Sequence, residues 1–209
     1  MEPHHHDGPS DATLWERSVA GDSEAFAALF KRHADAVYNH CFRRTGSWSH
    51  AEDLTSAVFL QAWRKRRQVV FTTDSVLPWL LAVANNSVRN QQRALRRYRR
   101  TLTVLPSAED SPDFAEDAAA RVDDEHAMRR VLASFEHLSD ADKDVLSLVG
   151  WAGLSYADTA AVLGVPVGTV RSRLSRAREH LRELTSAHDN AVQPSSTPAQ
   201  THKAEGSRP

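Results

Sequence analysis

From Asp22 onward, apolar residues return every three or four positions, and alternating β-branched runs of strand length are nearly absent. That spacing puts the apolar side chains on one face of a helix, whereas a pleated strand would need a period of two. Only eight glycines interrupt 209 residues. The pattern predicts an all-α chain. In "DSEAFAALFKRHADAVYNHCFRR", Phe26, Leu29, Phe30, His33, Val37 and Cys41 share one face. "GSWS" then breaks the pattern, and Ser49 with Glu52 reads as a capping box for the next helix, "HAEDLTSAVFLQAWRKRR", ending near Arg67. "VVFTTDS" reads as a loop, followed by a helix from about Val76 with Pro78 in its first turn, where proline is tolerated.

Charge divides the chain further. "RNQQRALRRYRR", residues 89–100, holds six arginines and no acid, yet the formal net charge of the whole chain is −1. The balance lies just beyond, where residues 107–125 carry eight acids and one arginine, with Pro106 and Pro112 breaking the local structure. Such a stretch buries too little apolar surface to fold alone and reads as a flexible acidic linker. The expected architecture is two small helical domains on one tether. Residues 1–13 form a disordered N-terminus, 14–100 the first domain, 101–124 the linker, 125–185 the second domain and 186–209 a disordered tail. His4 to His6 and the tail receive no role. No apolar run approaches the ~20 residues that span a bilayer, and the N-terminus lacks a signal-like apolar stretch, so no membrane insertion and a cytoplasmic location are expected. The single cysteine, Cys41, forms no internal disulfide and reads as a buried thiol.

The second domain is the more legible. Ser139 with Asp142, and Ser155 with Asp158, form two capping boxes. A short helix from Tyr156 to Leu163 stops at Gly164, which supplies a left-handed turn, and Pro166 opens a longer helix. That order is a helix-turn-helix. On the long helix, Val167, Val170, Leu174, Ala177, Leu181 and Leu184 form the inward stripe. At ~100° per residue, Gly168, Thr169, Ser172, Ser175 and Arg176 point away, with Arg171 and Arg173 on the flanks. Small and hydroxylated residues permit close approach to a groove, and guanidinium groups pair with phosphates or guanine edges. A solvated basic face on a helical hairpin is the plainer alternative.

In the first domain, Leu77, Leu80, Leu81, Ala84, Val88 and Leu95 mark the inward side of the arginine-bearing helix. Trp79, Asn85, Asn86, Arg89, Asn90, Gln92, Arg93 and Arg96 point mostly away, a mixture suited to nucleic acid through amide, guanidinium and stacking contacts. A helix end complementing its own dipole would explain two or three arginines but not six. The preceding helix has apolar residues in nearly every direction: Leu54, Val58, Phe59, Leu60, Ala62 and Trp63. Such a helix is either fully buried or a partner surface, and the pattern alone leaves both open.

Together "DSEAFAALFKRHADAVY", "AEDLTSAVFLQAW", "LPWLLAVANNSVRNQQR" and "GLSYADTAAVLGVPVGTVRSRLSRAREHLREL" resemble the extracytoplasmic function (ECF) sigma factors of the sigma-70 family, over residues 22–100 (region two) and about 125–185 (region four). The resemblance implies a factor that binds core RNA polymerase and directs initiation at promoters. It implies that the "AEDLTSAVFLQAW" helix docks on polymerase through Asp53, Thr55, Ser56, Phe59 and Gln61. The "VVFTTDS" loop and the helix carrying Asn85, Asn86, Arg89, Arg93 and Arg96 would melt and read the minus-ten promoter element. The helix with Thr169, Arg171, Ser172, Arg173, Ser175 and Arg176 would read minus-thirty-five. An anti-sigma protein is the further partner implied. The chain departs from the family pattern at Ala57, where the docking helix often carries an acid, and at Asn85 and Ser87, where arginine and a large apolar residue are common. No catalytic group, metal or cofactor is expected, because paired carboxylates, ligand spacing and a phosphate loop do not stand out. Two alternatives are a DNA-only helix-turn-helix regulator and a nucleic-acid enzyme using the acids of residues 109–125 as metal ligands. That stretch has little to hold an ion in fixed geometry.

Overall fold

The computed structural model describes residues 8–69, 71, 74–101, 117–135 and 137–192, with backbone alone for 99–101, 117–121, 134 and 184–192. Eight α-helices and no strand occur among the described residues. The first unit comprises α1 (Asp11–Val19), α2 (Ser23–Thr45), α3 (Trp48–Lys65) and α4 (Leu77–Thr101). The second comprises α5 (Asp117–Phe135), α6 (Asp140–Val145), α7 (Tyr156–Leu163) and α8 (Val167–Val192). Between α6 and α7 the chain continues as a π-helical segment, Leu146–Trp151, which the sequence pattern does not foretell. No described helix is long and apolar enough to cross a membrane.

Local chemistry accounts for most of the boundaries. Asp22 caps α2, its carboxylate accepting from the amides of Glu24 at 2.9 Å and Ala25 at 3.0 Å. Such a cap is worth about 1 kcal/mol. Gly46 closes the helix at φ 62°, a left-handed position that suits glycine. Ser139 and Ser155 cap α6 and α7, each accepting from the amide three residues on. Gly164 ends α7 at φ 63°.

Four boundaries differ from the sequence reading. Residues 11–13, expected to be disordered, open α1, which Ser10 caps and which buries Asp11 to 5% exposure. The cap of α3 is Ser47, not Ser49, because the chain leaves the Gly46 turn in extended conformation at Ser47 and Ser49 already lies in the helix. Of the acidic linker, residues 102–116 lie outside the described residues, whereas 117–124 are helical at the start of α5. Alanines at 118–120 favour that helix, and an acid near its N-terminus complements the dipole. The tail begins later than expected, since α8 continues to Val192. His4 to His6 and residues 193–209 lie outside the described residues.

One core fills the α1–α4 bundle, with Leu29, Val37, Cys41, Val58, Phe59, Leu80 and Val88 all buried. A second unites Leu138, Val145, Leu146, Val170, Leu174 and Ala177. A third, smaller cluster joins the units: Leu81 of α4 against Leu148 and Leu154, with Leu77, Ala152, Val162 and Leu163 around them. The two units are therefore in direct contact, α4 lying against α7.

Candidate nucleic-acid and docking interfaces

Helix α3 settles into the first unit through Ala51, Leu54, Thr55, Val58, Phe59 and Ala62. Two of the expected docking residues thus face inward. Phe59 is 4% exposed and sits edge-on to the rings of Phe26 and Phe30, and the Thr55 hydroxyl donates to the Ala51 carbonyl at 2.7 Å. Asp53 and Ser56 are exposed and Gln61 is half-buried. The apolar excess that spacing detects on this helix is Leu60, 49% exposed, with Phe30 of α2 43% exposed. The spacing signals an apolar excess on this helix but does not say which of the adjacent Phe59 and Leu60 is exposed.

On α4 the outward residues divide. Asn86, Arg93 and Arg96 are exposed and Arg89 is half-buried. Asn85, expected to point away from the core, is 2% exposed, and its Oδ1 has no hydrogen-bond partner among the described residues. It follows Leu81 by one helical turn, and Leu81 is the residue of α4 that packs against Leu148 and Leu154. Leu95, expected inward, is 41% exposed. Of the loop before α4, residues 70, 72 and 73 lie outside the described residues; Val69, Phe71 and Ser75 are half-buried and Asp74 is exposed.

Acids of the second unit meet the arginines of the first. Asp144, buried, lies 3.0 Å from the Arg44 guanidinium and 3.3 Å from that of Arg89. Arg44 itself is 5% exposed and also donates to the Ser147 hydroxyl at 3.2 Å. Burial pulls the Arg44 guanidinium below its ordinary pKa, and Asp144 opposes that shift. Arg96 donates twice to Asp140, at 3.3 and 3.2 Å, and these bonds hold the Asp140 carboxyl below the usual range. Arg43 donates to the Trp151 carbonyl at 2.9 Å. Sequence spacing did not single out Arg44 or Asp144, because a buried ion pair across units leaves no periodic trace.

Helix α8 presents its expected face. Arg171, Ser172, Ser175 and Arg176 are exposed, while Thr169 and Arg173 are half-buried. The Ser172 hydroxyl donates to the Thr169 carbonyl at 3.1 Å, and Arg176 lies 3.5 Å from Asp142. Behind this face Val170, Leu174 and Ala177 are buried, so the basic residues stand on a helix anchored from below. The left-handed turn at Gly164 and the Pro166 start set the angle between α7 and α8. Among the described residues no group of three metal-ligating side chains occurs.

Comparison with known proteins agrees with this geometry. Residues 29–101 match the family "Sigma-70 region 2" and residues 128–181 match "Sigma-70, region 4". The chain is 34% identical over 193 residues to RNA polymerase sigma-H factor of Pseudomonas aeruginosa, covering 88% of this chain and 94% of that one. It is 30% identical over 172 residues to ECF RNA polymerase sigma factor BldN of Streptomyces coelicolor, which spans 82% of this chain but only 64% of that protein. Among solved structures, CnrH in complex with the cytosolic domain of CnrY superposes with a TM-score of 0.66 at 25% identity, over 86% of this chain and 99% of that one. With both sigma regions in this order and relatives aligned across most of its length, the chain belongs to the ECF group of the sigma-70 family of RNA polymerase sigma factors.

Proposed function

We propose that this chain binds core RNA polymerase in the bacterial cytoplasm and directs initiation at promoters whose minus-ten and minus-thirty-five elements it reads with separate units. The carrying observation is the pairing of two basic helical faces, one on each unit, with an exposed acidic and apolar face on α3. With the bounds moved to those of the helices, α1 to α4 serve as region two, α5 to α8 as region four and residues 102–116 as the connector. Asp53, Ser56 and Gln61, with Thr55 and Phe59 shaping the helix from within, form the polymerase-docking surface, to which Leu60 adds its side chain. Asn86, Arg89, Arg93 and Arg96 hold the minus-ten strand, and Asn85 becomes available once the second unit moves off α4. Thr169, Arg171, Ser172, Arg173, Ser175 and Arg176 meet the minus-thirty-five groove. CnrH is solved in complex with the cytosolic domain of CnrY, which supports a protein partner for this chain; the family resemblance gives an anti-sigma protein as that partner. The chain supplies no catalytic group; polymerase does the chemistry.

The test is co-elution with bacterial core RNA polymerase followed by promoter-directed transcription. Wild-type protein should co-elute and start transcripts at a defined site. A chain that bound duplex promoter DNA tightly without polymerase, and never co-eluted, would instead be a DNA-only regulator.

A further inference from the structure

Helix α1 precedes residue 29, where the match to region two begins. Its positions 11, 15 and 18 follow i, i+4, i+7 spacing and so share one face. Each meets a different part of the path from α3 to α4. Arg66, just past the end of α3, donates to the Ser18 carbonyl at 2.9 Å. Trp15, 4% exposed, donates through its indole N–H to the Val69 carbonyl at 3.3 Å, and its ring lies edge-on to Phe71 at 4.7 Å and Trp79 at 5.7 Å. Asp11 receives the Ser75 hydroxyl and the Val76 amide, both at 3.0 Å on Oδ2. The Val76 carbonyl in turn accepts from the Leu80 amide at 3.0 Å, so Asp11 holds the first turn of α4. From behind, Arg32 donates to Asp11 Oδ1 at 2.5 Å and His33 to Oδ2 at 2.7 Å.

A tie between two helices needs only apolar contact. Here a buried carboxylate and a buried indole N–H are used, and their three bonds to this path join the Val69 carbonyl, the Ser75 hydroxyl and the Val76 amide. Hydrogen bonds of this kind fix position and orientation, which apolar contact does not.

We propose that α1 is a clamp that fixes Val69, Phe71, Ser75 and Val76 in place, and that these positions govern the base selectivity of the minus-ten site. Asp11 and Trp15 are positioning residues: they act through the segment and touch no DNA. The proposal rests on the assignment of that segment to minus-ten reading, given above.

The experiment uses holoenzyme reconstituted from the full chain and core RNA polymerase, transcribing promoter DNA randomised at the minus-ten positions. Trp15→Phe keeps an aromatic ring and removes the N–H; Asp11→Asn keeps the shape and removes the charge. Ser18→Ala is the control, since it deletes a buried hydroxyl bond of the same helix, to the Leu14 carbonyl, and leaves the segment untouched. In Trp15→Phe and Asp11→Asn, minus-ten selectivity should fall by about fivefold, the order of one impaired base contact, with core-polymerase affinity unchanged. Ser18→Ala should lose thermal stability and keep its selectivity. Wild-type selectivity retained in both test variants would overturn the clamp, as would an equal loss in Ser18→Ala. A wild-type holoenzyme that transcribes but selects no minus-ten base would overturn the assignment of the segment itself.

Discussion

His40 is 2% exposed, and neither ring nitrogen has a hydrogen-bond partner among the described residues. Burial, reinforced by the positive charges of Arg44 and Arg43, pushes its pKa down to about 3. In the unfolded chain an imidazole takes its proton near pH 6.5. Between those two values the unfolded state binds the extra proton, so stability falls as pH is lowered from about 6.5, by up to ~1.4 kcal/mol per unit. Urea unfolding at pH 7, 6, 5 and 4 measures this slope, and His40→Gln should flatten it. Asp11 acts further toward acid. Burial would raise its carboxyl, but hydrogen bonds from His33, the Val76 amide and Arg32 outweigh that and hold it well below the carboxylate range. Its contribution is complete above the unfolded value of ~3.9 and lost as pH falls below it. Gly164 has open space where a Cβ would stand, so its cost on substitution is backbone strain alone. Gly164→Ala should lower stability by about 1–2 kcal/mol, read from the unfolding midpoint. Cys41 is an inert core thiol, its pKa pushed up to about 11 by burial.

At the scale of elements, α3 separates two effects that one substitution can confuse. Phe59→Ala removes a ring from the core and should cost about 3–5 kcal/mol, so any loss of polymerase binding would follow from unfolding. Asp53→Ala with Leu60→Asp alters only exposed positions. That pair should keep the wild-type unfolding free energy to within the roughly ±0.5 kcal/mol usual for surface changes, while core-polymerase co-elution is lost. For α8, Arg171→Ala should weaken discrimination at one minus-thirty-five position by about 1–3 kcal/mol, measured by competition between promoter variants. The sequence made α7 and α8 readable almost residue by residue, because Ser155, Gly164 and Pro166 act through their own backbone. It was less informative on α3, where Leu60 and Phe59 are adjacent apolar residues and only packing tells which one is buried.

In the whole molecule, Arg89 and Arg96 are engaged with Asp144 and Asp140, and α4 shares the Leu81, Leu148 and Leu154 cluster with the second unit. On the proposed assignment of Arg89 and Arg96 to promoter DNA, those acids compete with its phosphates, so parting of the units should favour DNA engagement. Asp144→Asn leaves the Arg44 charge buried without its counter-ion. Breaking a buried pair from one side costs about 3–5 kcal/mol, and separating the units relieves the cost by returning Arg44 to water. Small-angle scattering should therefore report a larger radius of gyration for Asp144→Asn than for wild type. Helical period, the caps at Ser139 and Ser155, turn chemistry and the unequal spread of charge were determined by the sequence alone, because each depends on residues within a turn or two of one another. The tertiary structure alone decided that Asp11 closes on Val76, that Asn85 is covered and that Asp144 sits between Arg44 and Arg89. Those partners lie 55 to 100 residues apart or depend on which face a neighbouring helix covers, and no local pattern encodes a contact made by packing.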